Sequence, residues 1–263
     1  MKKLTLSFLI LFVLLSFGNV LQKKSYKTIK VIYHGIRYNQ KDSTVHEIPN
    51  MEFRLSANDS VSRFEYIPSL EIDEGSKNFL ARAKLAVRDV YFINVKQKKY
   101  LKQKHLNDYF LIEMPLMMGM KWKLDFSRPR KILGYTCYKA IGEMPVFKSR
   151  GQKDLTYKSI PSFQRIEAWF TPEIPLPYGP YRYVGLPGLV LEAYNLSSGG
   201  FGYRAAKIDF SEKKREIPEP KEGVHMSFEE SGSKMTGYFN KMMKENMKKP
   251  CSGCDKKKKH KKS

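Results

Sequence analysis

The segment between Thr171 and Gly188 constrains the fold more than any other part of the chain. It contains five prolines, at positions 172, 175, 177, 180 and 187. Proline lacks a backbone N–H and has a fixed φ, so this density excludes both a helix interior and a central strand. The segment is predicted to be a rigid, shaped loop lined by Tyr178, Tyr181 and Tyr183. It ends at Pro187-Gly188, which suits the central pair of a type II turn.

Short apolar runs separated by turn signals surround this loop. In one of them Ile166, Ala168 and Phe170 alternate with polar residues, which is typical of a strand with one buried face. Strands are predicted at 26–38, 51–55, 62–67, 89–95, 99–103, 109–112, 122–126, 132–141, 164–171, 189–196 and 201–210. Helical spacing is present at 76–87 and 227–248, and 142–161 reads as a polar connection. The pattern predicts a mainly β (α+β) fold: a curved antiparallel sheet or meander with one or two helices.

Four separated motifs carry a resemblance to a known family. They are Lys131-Ile-Leu-Gly-Tyr-Thr-Cys-Tyr-Lys-Ala140, Ala168-Trp-Phe-Thr171, Ile174-Pro-Leu-Pro-Tyr-Gly-Pro180 and Gly185-Leu-Pro-Gly-Leu-Val190. In this order they resemble the GLPGLI family of secreted Bacteroidetes-type proteins, with Val190 in place of the last isoleucine. The resemblance implies an exported envelope protein rich in antiparallel β-structure. It implies no catalytic residue.

The N-terminus independently predicts export. Met1-Lys2-Lys3 is a basic start, residues 4–17 are mostly apolar, and small residues at Ser16 and Gly18 suit cleavage after Gly18. The run is shorter than the ~20 apolar residues of a membrane-spanning helix. The predicted organisation is a signal peptide at 1–18, a β domain at 19–212, a linker and amphipathic helix at 213–250, and a basic, disordered tail at 251–263.

The chain is strongly basic, with a formal net charge of +22. Ten lysines against two acidic residues lie between Lys241 and Ser263, and the remaining excess is spread through the body. Such a surface attracts phosphate-rich or carboxylate-rich partners. For an exported protein in the periplasm or at the outer membrane, the expected partners are an outer-membrane protein or an anionic lipid or glycan surface, and not nucleic acid. A solvated basic surface without a specific ligand is the alternative.

Cysteines supply the one candidate metal cluster. Cys251 and Cys254 form a C-x-x-C, His260 follows, and Met242, Met243 and Met247 precede. Thiolate, imidazole and thioether groups suit copper(I) or zinc. One C-x-x-C is also consistent with a disulfide, an inert tail or a redox-active pair. Cys137 is then a small buried hydrophobe, or it pairs with one tail cysteine; the spacing leaves both open. The methionine-rich run 114–120 suits either copper(I) or core packing.

No catalytic motif is present. The sequence contains neither G-x-S-x-G nor H-E-x-x-H, and its five histidines are scattered. Trp122 and Trp169, with the tyrosines near Gly179–Tyr183, are candidates to line a groove for an acyl chain, a peptide or a glycan, or to fill the core. The predicted function is a non-catalytic binding or carrier module for an apolar or anionic envelope ligand. The alternative is metal handling by Cys251, Cys254 and His260.

Overall fold

Long β-strands dominate the computed structural model, which describes residues 26–68, 89–105, 108–114, 120–151, 157–196 and 200–248. In this part of the chain twelve strands form one open sheet. In chain order they are β1 (Thr28–Asn39), β2 (Thr44–Ala57), β3 (Val61–Ile67), β4 (Val90–Asn94), β5 (Lys99–His105), β6 (Tyr109–Glu113), β7 (Lys123–Ile132), β8 (Tyr135–Gly151), β9 (Tyr157–Thr171), β10 (Leu189–Asn195), β11 (Phe201–Ser211) and β12 (Val224–Ser227).

The strands are arranged in the order β12-β6-β5-β4-β3-β2-β1-β11-β10-β9-β8-β7. Every neighbouring pair is antiparallel except β12 and β6, which are parallel. The predicted mainly β, antiparallel architecture is therefore confirmed. The prediction of 142–161 as a connection was wrong, because β8 continues to Gly151 and β9 already begins at Tyr157. These two segments pair with each other over Gly142–Gly151, so their polar residues form a ladder instead of a loop.

Helix α1 (Phe228–Lys248) agrees with the helix predicted at 227–248. It begins with a capping box: the Ser227 hydroxyl accepts the Glu230 backbone N–H at 3.2 Å, and the Glu230 carboxylate accepts the Ser227 N–H at 2.8 Å. Helix α1 contacts β9 near one end of the strand order and β6 and β12 at the other. The sheet is therefore curved, and we call its inner face concave and its outer face convex. The other predicted helix, at 76–87, lies outside the described residues.

The proline-rich loop packs into the concave face. Its side chains Ile174, Leu176 and Tyr178 are buried in the core. Two backbone hydrogen bonds join the loop to the start of β10. The Leu189 N–H donates to the Ile174 carbonyl and the Val190 N–H donates to the Tyr178 carbonyl, each at 2.9 Å. The predicted type II turn at Pro187-Gly188 was wrong. A type II turn would be closed by a hydrogen bond from the Leu189 N–H, but that group donates to the Ile174 carbonyl. The Gly188 N–H donates to the Leu186 carbonyl at 2.8 Å instead, which makes a three-residue γ-turn.

A buried hydrogen bond holds the centre of the sheet. The Tyr33 hydroxyl donates to the Val190 carbonyl at 2.7 Å, next to the register shift between Val190 and Glu192. Burial raises the pKa of Tyr33, so this side chain is a neutral donor at ordinary pH.

Tyr33→Phe is expected to lower the free energy of unfolding by about 1–2 kcal/mol, because the buried Val190 carbonyl loses its side-chain donor. Urea unfolding followed by circular dichroism measures the change. The matched control is Tyr38→Phe, whose hydroxyl lies in an exposed hydrogen bond to Ser43, and we expect it to change stability little. An equal effect of both variants would contradict the assignment.

The segment between β11 and β12 crosses the convex face. Arg63 donates to the Pro218 carbonyl at 2.9 Å and Gln103 to the Glu222 carbonyl at 2.9 Å, and Lys99 pairs with Glu219 at 2.5 Å. Ile217 packs there on a small second core of Phe92, Leu101 and Leu111. These contacts position the chain so that β12 can pair with β6. Within the described residues, no helix has the length and apolar character needed to cross a membrane.

Candidate functional site

A cavity of about 320 Å³ opens on the concave face between the sheet and the proline-rich loop. Seven aromatic rings, two amides and one ion pair form its wall. The lining residues are Phe53, Phe64, Asp89, Tyr91, Lys102, Gln164, Tyr181, Tyr183, Asn195, Phe201 and Tyr203. Concave pockets with aromatic walls and a few polar groups are the usual setting of small-ligand sites.

Strand register places the sheet-borne rings together. Phe64 pairs directly with Tyr91, and alternation along β2 and β11 directs Phe53 and Tyr203 to the same face. Phe53 and Phe64 stack with centroids 5.5 Å apart, and Tyr203 stands edge-on to them at 4.8 and 5.2 Å. Such edge-on contacts fix ring positions, so this wall is preformed.

The proline-rich loop supplies the opposite wall through Tyr181. Its φ is +58°, a left-handed conformation that a bulky residue seldom adopts. The Tyr181 ring lies 4.7 Å from Tyr91, 5.6 Å from Tyr183 and 6.4 Å from Tyr203. Backbone strain of this kind persists where the surroundings hold it, and it is concentrated at functional sites.

Asp89 forms ion pairs with two lysines at the polar end of the cavity. Its carboxylate lies 2.7 Å from Lys102 Nζ and 3.4 Å from Lys104 Nζ, and it accepts the Tyr91 hydroxyl at 3.2 Å. Burial would raise the pKa of Asp89, but the two ammonium groups outweigh burial and lower that pKa. Asp89 is therefore a carboxylate at neutral pH, and its single charge is shared by two cations.

Positive charge exceeds negative charge at this end. Arg182 adds a third cation beside Tyr181, with its guanidinium carbon 5.9 Å from that ring. Burial, and then repulsion from Lys102, lowers the pKa of Lys104. Two cations thus contact the one carboxylate, and Arg182, which donates to the Pro145 carbonyl at 3.2 Å, adds a third positive charge nearby. This excess of positive charge in a partly buried setting favours an additional anion.

The structure separates the two tryptophans from the cavity. The Trp122 indole donates to the Val184 carbonyl at 2.9 Å, and its ring lies so close over Gly142 that a Cβ there would be 2.7 Å from it. Trp169 lies on the convex face. Of the aromatic residues predicted to line a groove, Tyr181 and Tyr183 do so, whereas Tyr178 is fully buried and both tryptophans lie elsewhere.

Trp169 belongs to a row of paired residues that crosses seven strands of the convex face. The row runs Glu52, His34, Arg204, Glu192, Trp169, Lys139, Asp125. At its centre the fully buried Glu192 carboxylate accepts hydrogen bonds from Arg204 Nε and Arg130 Nη2. The Arg130 guanidinium lies 3.9 Å above the Trp169 ring. The ion pairs of Glu192 with Arg130 and Arg204 make this row a structural ion network.

The predicted metal ligands Cys251, Cys254 and His260 lie outside the described residues, as do residues 115–119 of the methionine run. The described residues contain no group of three His, Cys, Asp or Glu side chains able to hold a metal ion. Cys137 is fully buried, as expected for a small hydrophobe, and it forms no disulfide in the described part of the chain. Burial raises the pKa of its thiol to about 11.

Sequence reasoning missed Asp89, Lys102, Lys104 and Arg182. The usable signal lies in β5, where Tyr100, Lys102 and Lys104 alternate onto one face, so that a buried tyrosine shares its face with two lysines. A lysine on the inward face of a strand requires a buried partner or a ligand. Only the folded structure, in which Asp89 contacts Lys102 and Lys104, shows that Asp89 is that partner.

Three comparisons relate the chain to known proteins. A family model described as "Protein of unknown function (Porph_ging)" matches residues 122–192. No curated protein matches the chain. Two solved structures of PNGF-II, in space groups C2 and P21, match with TM-scores of 0.51 and 0.50 at 15% identity. They cover 80% and 81% of this chain, which spans only 33% of the PNGF-II chain in each case, and they show a shared fold.

Proposed function

We propose that the protein is a non-catalytic binding module that holds a small ligand in the cavity between the sheet and the proline-rich loop. The ligand has an apolar, ring-bearing body and an anionic group. The observation that carries the proposal is the wall of seven aromatic rings beside the Asp89–Lys102 pair. A cavity of about 320 Å³ has room for roughly ten water molecules, which suits one ring with its substituent.

The anionic group of the ligand follows from charge. Lys102, Lys104 and Arg182 supply three cations against the one carboxylate of Asp89. The first two are bound to that carboxylate, yet an ammonium group has three donors, so Lys102 keeps capacity for a second acceptor. Hydrogen bonds to charged groups are stronger than neutral ones, and partial burial limits competition from water.

The position of the protein in the cell is a second part of the proposal. The basic and apolar start of the chain supports export, and the four motifs from Lys131 to Val190 support a GLPGLI-type protein. These motifs lie within the segment that the family model matches. We propose a periplasmic or outer-membrane-associated carrier. Edman sequencing of the protein recovered from its native envelope would begin at Asn19 under this proposal.

The cavity is tested with a matched pair of probes, phenylacetate and phenylacetamide, by ligand-observed NMR at neutral pH. Phenylacetate is expected to bind about tenfold more tightly, the equivalent of ~1.4 kcal/mol from one charge-assisted hydrogen bond. Lys102→Met removes this preference. The control Lys207→Met changes an exposed lysine that pairs with Asp209, and it leaves the preference intact.

Equal affinity for the two probes would contradict an anionic ligand. Loss of binding in Lys207→Met would show that the effect reflects total charge and not the cavity. Native mass spectrometry of the purified chain supplies the complementary result, since a co-purified anion of about the cavity's size would identify the ligand itself.

A further inference from the structure

The free edge of the sheet at β7 combines exposed apolar and basic side chains. Leu124, Phe126 and Leu133 are 37%, 55% and 45% exposed. Four exposed cations lie among them in the sequence: Lys121, Lys123, Arg128 and Lys131. We call these seven residues the β7 edge. Lys121 lies just before β7, five of the others lie on β7, and Leu133 lies in the turn that follows it. In the described sheet β7 is the last strand, with β8 as its one neighbour.

Leu133 occupies a position that the fold itself does not explain. Leu133 and Gly134 form the two-residue turn between β7 and β8, with φ of +50° and +84°. Turns with two positive φ values favour Asn or Gly at the first position, and a branched apolar residue is costly there. An exposed leucine held in this conformation at the tip of a hairpin suggests a contact with something outside the chain.

The charge of the β7 edge is nearly uniform in sign. Asp125 is the one acidic residue between Lys121 and Leu133, and it already bonds to Ser127 and pairs with Lys139 at 3.7 Å. Leu124 pairs with Ala140 and points to the concave face, whereas Lys123 pairs with Ile141 and points to the convex face. Apolar and basic side chains therefore lie on the two sides of the same edge strand. A surface that approaches the strand edge-on would meet both.

An additional strand is disfavoured at this edge. Pro129 removes a backbone donor, and the pairing with β8 is irregular between Asp125 and Arg130. Exposed lysines, proline and bulges are the features by which edge strands avoid pairing with other chains. A flat anionic and apolar surface requires no register of backbone hydrogen bonds, and a lipid headgroup layer has this chemistry.

We propose that the β7 edge is a docking site for an anionic lipid surface, with Leu133 and Phe126 entering the headgroup region and the four cations bound to lipid phosphates. The proposal is independent of the cavity and of its ligand. It also differs from the lysine-rich tail at 251–263, because it places the contact on a folded strand.

The test measures sedimentation of the full chain with vesicles of phosphatidylglycerol and phosphatidylcholine, and with phosphatidylcholine alone. Each basic residue near an anionic surface contributes about fivefold to partitioning, so Lys123→Gln with Lys131→Gln should weaken binding about 25-fold. The matched control is Lys96→Gln with Lys98→Gln in the turn between β4 and β5. This variant also loses two positive charges from an exposed turn, and that turn also has an exposed apolar residue, Val95.

Leu133→Asn separates lipid contact from folding. Asparagine suits the turn, so thermal stability is expected to stay the same or rise, while vesicle binding falls about tenfold. Equal losses in the β4–β5 control, equal binding to vesicles of phosphatidylcholine alone, or unchanged binding of Leu133→Asn would each overturn the proposal. Self-association through this edge without vesicle binding would overturn it in favour of a protein partner.

Discussion

Gly188→Ala is expected to lower the free energy of unfolding by about 4 kcal/mol, the largest effect of any single change considered. Gly188 has φ +158°, and a Cβ there would lie 2.1 Å from the Thr171 carbonyl oxygen and 2.9 Å from Pro172 Cα. Both obstacles are backbone atoms, so neither can rotate away. Strain at an unfavourable φ and overpacking each cost about 1–3 kcal/mol. Chemical denaturation measures the change.

The matched control lies three residues away in the same motif. Gly185 has φ +84°, but a Cβ there would meet nothing within 4 Å. Gly185→Ala therefore carries the conformational cost alone, about 1 kcal/mol. Similar stabilities of the two variants would mean that the approach of Thr171 to Gly188 does not constrain the native protein. The contrast also identifies which glycine of the hexapeptide is required by packing and which by turn geometry.

Glu192→Gln is expected to lower the free energy of unfolding by about 2–3 kcal/mol. The Glu192 side chain is 1% exposed, and its two oxygens accept from Arg130 and Arg204. Removing one partner of a buried ion pair costs about 3–5 kcal/mol, because the remaining charge is left uncompensated. The two guanidinium groups are 36% and 32% exposed and so retain some hydration, which reduces the cost.

Glu52→Gln is the control for this change, since it alters the same kind of residue in the same cross-strand row. Glu52 is 51% exposed and lies 3.6 Å from His34 Nε2. Exposed pairs contribute at most about 1 kcal/mol, so the variant is expected to unfold close to the parent in urea. If Glu192→Gln were as mild as Glu52→Gln, the central network would be dispensable and the burial of Glu192 would need another explanation.

The strands that bury one face could be predicted from sequence. In β9 the alternation of Ile166, Ala168 and Phe170 places three fully buried side chains on the concave face. The second half of β8 and the first half of β9 are rich in polar residues, and their pairing from Val146↔Ser162 to Gly151↔Tyr157 is a backbone ladder that no apolar alternation in the sequence indicates. β12 was missed for a related reason: its four residues are held by β6 and by the segment across the convex face.

The candidate site was predictable only in part. The proline-rich loop indicated that Tyr181 and Tyr183 would be held in a shaped surface, and both line the cavity. Asp89 lies just before β4 and Lys102 lies in β5, so their 2.7 Å approach depends on the register of these two strands, which sequence alone does not provide. Trp122 and Trp169 were attractive candidates by residue type, but one is bonded to the loop backbone and the other lies on the opposite face.

The place of β1 in the sheet determines how the chain can fold. β1 is synthesised before the other described strands, yet it lies in the middle of the strand order, between β2 and β11. Its pairing with β11, which begins at Thr28↔Ser211, joins the first and the eleventh of the twelve described strands. Non-local pairing of this kind slows folding, because a long loop must close before its contacts form. During synthesis the backbone groups of β1 that pair with β11 stay unpaired until β11 emerges. Because β1 also carries the apolar residues Ile29 and Val31, this open edge promotes aggregation. The nascent chain is therefore expected to depend on a chaperone for longer than a domain of this size with sequential strand pairing.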